Sequence, residues 1–122
     1  MTNEAISVNI PVSADAAFRA RAIIDSLLAG DPHTDDVKLA TSELISNAVK
    51  HGDLDVDEAI RLEIRRADSR SLRVAVTYRG EPFDRPDISA PSSGYGFRII
   101  DALSTRWAVD HHNETTTAWF EI

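Results

Sequence analysis

Glu43 and Asn47 stand four residues apart in the run Thr41-Ser42-Glu43-Leu44-Ile45-Ser46-Asn47-Ala48-Val49-Lys50-His51-Gly52. On a helix a four-residue step stacks two side chains on one face. A carboxylate can polarise a hydroxyl or a water, and a carboxamide oxygen can hold a hard cation. Together they are two parts of a phosphoryl-transfer site. The same pair occurs on many solvated helix faces, so its meaning depends on the rest of the chain. Two glycine turns add to it. Gly80 lies in Tyr78-Arg79-Gly80-Glu81-Pro82-Phe83, and Gly94-Tyr95-Gly96 opens a helical segment. Glycine lets backbone approach a ligand closely, and a helix N-terminus offers free N–H groups to phosphate.

These residues need elements to hold them. Ile6, Val8 and Ile10 alternate with polar residues up to Pro11, which predicts a strand. Ser13 is placed to cap a helix carrying Phe18, Ala22, Ile24, Leu27 and Leu28, stopped by Gly30 and Pro32. Thr34 is placed to cap the next, with Asp35 and Asp36 in its first turn and a core stripe of Val37, Ala40, Leu44 and Ala48. Glu43 and Asn47 ride on that helix. Lys50 and His51 fall at its end, where cations suit the dipole, and His51 reads as a structural cap.

Ile60, Leu62 and Ile64, then Leu72, Val74 and Val76, alternate with polar residues and predict a hairpin turning at Ala67-Asp68-Ser69-Arg70. The Pro-containing stretch Glu81 to Ser93 reads as a loop. A third helix runs from Phe97 to about Leu103. Two closing strands, around Trp107-Ala108-Val109 and Thr116 to Ile122, flank the loop His111-His112-Asn113-Glu114. The order β-α-α-β-β-α-β-β predicts one α/β domain over residues 1–122: a two-layer sandwich with a mixed sheet and helices on one face.

Composition agrees with that class. The 122 residues are 43% hydrophobic and 27% charged, which suits a single soluble domain with a real core. There is no cysteine, which excludes disulfides and thiolate metal sites. No apolar run approaches a membrane span and no signal-peptide pattern opens the chain, so the expected place is the cytoplasm. A formal charge of −7 disfavours bulk nucleic-acid and membrane binding. Arg61, Arg65, Arg66, Arg70 and Arg73 alternate with apolar residues and read as the wet face of a sheet.

Taken in order, the Glu43/Asn47 stretch and the glycine motifs resemble the GHKL, or Bergerat-fold, ATPase superfamily, and more closely the small anti-sigma-factor serine kinases of bacteria. Ser42 to Gly52 is similar to that family's N-box, Gly94 to Leu103 to its second glycine box, and Thr117 to Ile122 to its last strand. The resemblance implies ATP and Mg²⁺ as cofactors. It implies Glu43 as the base that activates the attacking serine hydroxyl and Asn47 as the Mg²⁺ ligand. Gly80, Gly94 and Gly96 would face the nucleotide, Lys50 would offer charge to phosphates, and Thr117 would approach adenine. The implied partners are a sigma factor and an anti-sigma-factor antagonist, the latter being the kinase substrate. A homodimer is also implied.

The first glycine box departs from the family. Tyr78 stands where the family has the Asp that accepts the adenine amino hydrogen, and Pro82 where it has a second glycine. A carboxylate in a half-buried pocket discriminates strongly; a phenol is a weaker acceptor and much bulkier. Two readings follow: an ATP-dependent serine kinase acting in partner switching, or a protein-binding module on the same fold with nucleotide recognition degraded or lost. A sensor histidine kinase fragment fits poorly, because His33, His51, His111 and His112 do not occupy a phospho-acceptor helix. His111-His112 lack the neighbouring ligands a metal site needs.

Overall fold

Alternating apolar residues build the sheet, and the computed structural model describes residues 5–51, 58–68, 71–80 and 95–122 of the chain. The elements run β1 (Ile6–Pro11), α1 (Ala16–Leu27), α2 (Thr34–His51), β2 (Ala59–Arg66), β3 (Leu72–Arg79), α3 (Tyr95–Leu103), β4 (Arg106–His112) and β5 (Thr115–Glu121). Their order is the expected one. The closing hairpin is tighter than expected, because β4 extends to His112 and β5 begins at Thr115. Only Asn113 and Glu114 turn the chain, both left-handed, with φ of 51° and 65°. Such a turn matches the right-handed twist of the flanking strands.

The sheet order is β1-β2-β3-β5-β4. All four pairings are antiparallel, so the expected mixed sheet is corrected. The reason is topological. The crossover through α3 does join two strands of the same direction, β3 and β4, but β5 inserts between them and pairs antiparallel with each. Between β1 and β2 the chain makes two helices, which return it antiparallel to its start.

Strand alternation then sorts the two faces. Ile60, Leu62, Ile64, Leu72, Val74, Val76, Tyr78, Thr116, Ala118 and Phe120 are buried on one face. The helices cover that face, with α2 on β3 and between α1 and α3. From α2 come Val37, Ala40, Leu44, Ile45 and Ala48, and from α1 Ala16, Ala20 and Ile24. Each fully buried aliphatic side chain contributes roughly 1.5–3 kcal/mol against exposure. Phe18 stays outside this stripe, 65% exposed.

Neither helix start is capped as the residue types suggested. The Ser13 hydroxyl donates to Asp15, and no side chain caps α1. The Thr34 hydroxyl shares its single hydrogen between the carbonyls of Leu28 (2.6 Å) and Asp31 (2.8 Å), closing the link between α1 and α2. Asp31 holds the same link: its carboxylate accepts from the His33 backbone N–H and from Arg66, each at 2.8 Å. These two donors hold its carboxyl below the usual range. Among the described residues no helix is long and apolar enough to cross a membrane.

Candidate functional site

The core face of α2 is fixed by its apolar stripe, which leaves Glu43 and Asn47 half-buried on the flank. Among the described residues neither side chain has a hydrogen-bond or ion-pair partner. Lys50, further along the helix, is exposed. The opposite flank of α2 is tied to α1: Arg21 donates to Ser42 at 3.1 Å, and Lys38 pairs with Asp25 at 2.9 Å. Glu43 and Asn47 are thus carried on an anchored helix without being consumed by its anchoring.

At the end of β3 the arrangement is different. Tyr78 shares the alternation of Val74 and Val76, faces the helices and is only 5% exposed. Its register partner on β5 is Thr116. Gly80 follows, with φ of +132°, a conformation that disfavours any side chain. Its N–H donates to the Glu114 carbonyl at 2.7 Å, and its own carbonyl accepts the Thr116 hydroxyl at 2.6 Å. A carbonyl can only accept, so this bond uses the single hydrogen of Thr116. The Nδ1 of His111, 2.9 Å from the same hydroxyl oxygen, must then be the donor. The chain His111, Thr116, Gly80 therefore specifies a histidine with its proton on Nδ1.

Thr117 is placed otherwise than the resemblance implied. It lies on the outer face of the sheet, its hydroxyl 3.1 Å from that of Thr77, with the strand between it and the α2 side. Thr116 occupies the inner position. Parity could have revealed this, because Thr116 shares the alternation of Ala118 and Phe120. Gly96 lies in the first turn of α3. Gly94, Pro82 and the proline-containing loop are outside the described residues.

The residues present fit the two halves of a magnesium nucleotide unequally. Among the described residues no cluster of three or more His, Asp or Glu could hold a metal alone. Mg²⁺ that keeps its waters and phosphate ligands needs only one or two protein oxygens, and Asn47 beside Glu43 supplies that chemistry. Among the described residues the adenine half is matched less well. A buried aromatic ring stands where the family pattern has a carboxylate acceptor, and the Thr116 hydroxyl is already committed to Gly80.

A histidine kinase-like ATPase domain matches residues 11–122. The chain belongs to that family. Known structures agree with the fold of this histidine kinase-like ATPase domain. The RsbU and RsbW domains of Rv1364c from Mycobacterium tuberculosis superpose with a TM-score of 0.76 at 24% identity, over 97% of this chain and 32% of that one. This chain therefore spans about a third of the length of that solved chain. The SiaB-SiaC complex from Pseudomonas aeruginosa gives a TM-score of 0.73 at 15% identity, over 96% and 88% of the two chains. The histidine kinase domain of the Erythrobacter litoralis EL346 blue-light activated histidine kinase gives 0.60 at 20%, over 92% and 60%. At these identities the likeness is one of fold. No curated protein matches the chain significantly by sequence.

Proposed function

We propose that this protein is a partner-switching regulator, a histidine kinase-like ATPase domain that acts by binding protein partners and no longer reads adenine. The observation that carries the reading is Tyr78, whose ring is buried in the helix-facing layer at the base-reading position. Adenine needs an acceptor for its amino group once desolvated, and a phenol supplies a weaker one than a carboxylate. Partner switching is supported by family membership and by the likeness to an RsbW domain and to SiaB, which was solved in complex with SiaC. The partners by that analogy are a sigma factor and an anti-sigma-factor antagonist.

Calorimetric titration with Mg-ATP, together with a melting curve, tests the reading. We expect no heat and no rise in melting temperature. Ligand at about a hundred times its Kd stabilises by about 2.7 kcal/mol, so a clear thermal shift would overturn the proposal. Tyr78→Asp restores the acceptor and should improve ATP binding if the acceptor alone is missing.

One observation favours the kinase reading instead: Glu43 and Asn47 share a half-buried flank of α2 and keep no partner among the described residues. In that case Glu43 would take the proton of a serine hydroxyl on the antagonist, and Asn47 would hold the Mg²⁺ that neutralises developing charge. Glu43→Ala would then abolish transfer and leave nucleotide binding intact.

A further inference from the structure

Strand register rules the outer face of the sheet into rows, and one row crosses it as Arg65, Arg73, Glu121 and Arg106. Two of its guanidinium groups pair with its one carboxylate, and the third, Arg65, acts on it only at longer range. Arg73 lies 3.3 Å and Arg106 2.5 Å from Glu121. Glu121 is 7% exposed, and its carboxyl is held below the usual range, first by the Arg106 hydrogen bond and then by the charges of Arg106, Arg73 and Arg65. Arg73 is further fixed by the Trp119 ring, 3.9 Å beneath its guanidinium.

Arg65 is exposed, sits directly opposite Arg73, and has no ion-pair partner among the described residues. Like charges facing each other across an antiparallel pair are destabilising by up to about 1 kcal/mol. The row keeps this pair with only one carboxylate to offset three cations. Beside it opens a hollow of about 350 Å³ lined by Ala5, Glu63, Arg65, Arg73 and Ala75. Glu63 is engaged by Arg61 at 3.1 Å, and the alanines keep the floor low. A planar guanidinium fork matches a carboxylate in a bidentate fashion.

We propose that this hollow binds a side-chain carboxylate from an acidic, extended segment of a protein partner, seated between Arg65 and Arg73. The face lies across the sheet from Glu43 and Asn47, so the proposal goes beyond the nucleotide question and stands whichever way that is answered. Long polyanions suit it less. The chain carries a formal charge of −7, which repels a duplex or an anionic bilayer over more than the short reach of a single segment.

The test is a fluorescence-anisotropy titration of labelled hexaglutamate with the full chain at low salt. Binding should weaken as salt rises, and should fall about tenfold with Arg65→Gln and further with Arg65→Glu. Arg19→Glu, the same charge change on α1, should cost about threefold or less. Arg65 is exposed and faces a like charge, so both variants should melt at or slightly above the wild-type temperature. Absence of hexaglutamate binding, or equal losses at Arg65 and Arg19, would overturn the proposal. So would Arg65-dependent binding to phosphatidylglycerol vesicles tighter than to the peptide, or a homodimer that Arg65→Glu dissolves.

Discussion

On the flank of α2, Glu43 and Asn47 are half-buried and free of side-chain partners among the described residues. At the end of β3, Tyr78 is buried, Gly80 is bonded at both its N–H and its carbonyl, and Thr116 is tied to Gly80 and His111. The α2 residues are held in place by a helix whose anchoring they do not join. The residues at the end of β3 are part of what holds the fold together. A position that serves the core cannot easily serve a ligand, because the same ring cannot both pack and make way. The two halves should therefore respond to substitution on different scales.

The largest difference should come from Tyr78→Ala against Glu43→Ala. Emptying a buried aromatic site costs about 3–5 kcal/mol, whereas a half-buried side chain without partners costs about 0.5 kcal/mol or less. Urea unfolding measures both. Equal small costs would remove Tyr78 from the core and break the comparison. Gly80→Ala comes next, expected to cost about 1–2 kcal/mol, because its φ of +132° strains any Cβ. A neutral result there would mean the turn relaxes freely.

Thr116→Val should cost about 1–2 kcal/mol, since it leaves the buried Gly80 carbonyl without its hydroxyl donor. It also carries a sharper signature. Nitrogen shifts of the His111 ring should report a proton on Nδ1 in the wild type, a preference that the variant loses. A wild-type histidine with its proton on Nε2 alone would refute the hydrogen-bond chain whatever the stability change.

The elements were legible because their apolar periods are clean. Ile60, Leu62 and Ile64 could only be a one-sided strand, and Val37, Ala40, Leu44 and Ala48 only a helix face. Strand polarity was not legible, because nothing local says that β5 returns to lie between β3 and β4. Caps failed for a related reason: Ser13 and Thr34 have the right hydroxyls, but a nearer carboxylate and two carbonyls take them. At the site, the motif spacing marked Tyr78 as the departure from the family, while only burial shows that its ring faces the helices. Motif position points to Thr117, whereas strand parity assigns the inner position to Thr116.

The smallest effect concerns the hairpin that braces the end of β3. Glu114 turns the chain at φ of +65°, where a side chain is disfavoured and Asn-Gly is the preferred pair. Its carbonyl accepts the Gly80 N–H at 2.7 Å, a backbone bond that any residue could make. Glu114→Gly should therefore keep the brace and relieve the turn, with part of the gain lost to the greater freedom of glycine in the unfolded chain. The expected net is a stabilisation of about 0.5–1 kcal/mol, read as a rise of about 2–4 °C in melting temperature. A fall would mean that the Glu114 side chain itself supports the end of β3. The end of β3 would then depend on side chains beyond Tyr78, Thr116 and His111, and its contrast with α2 would be wider still.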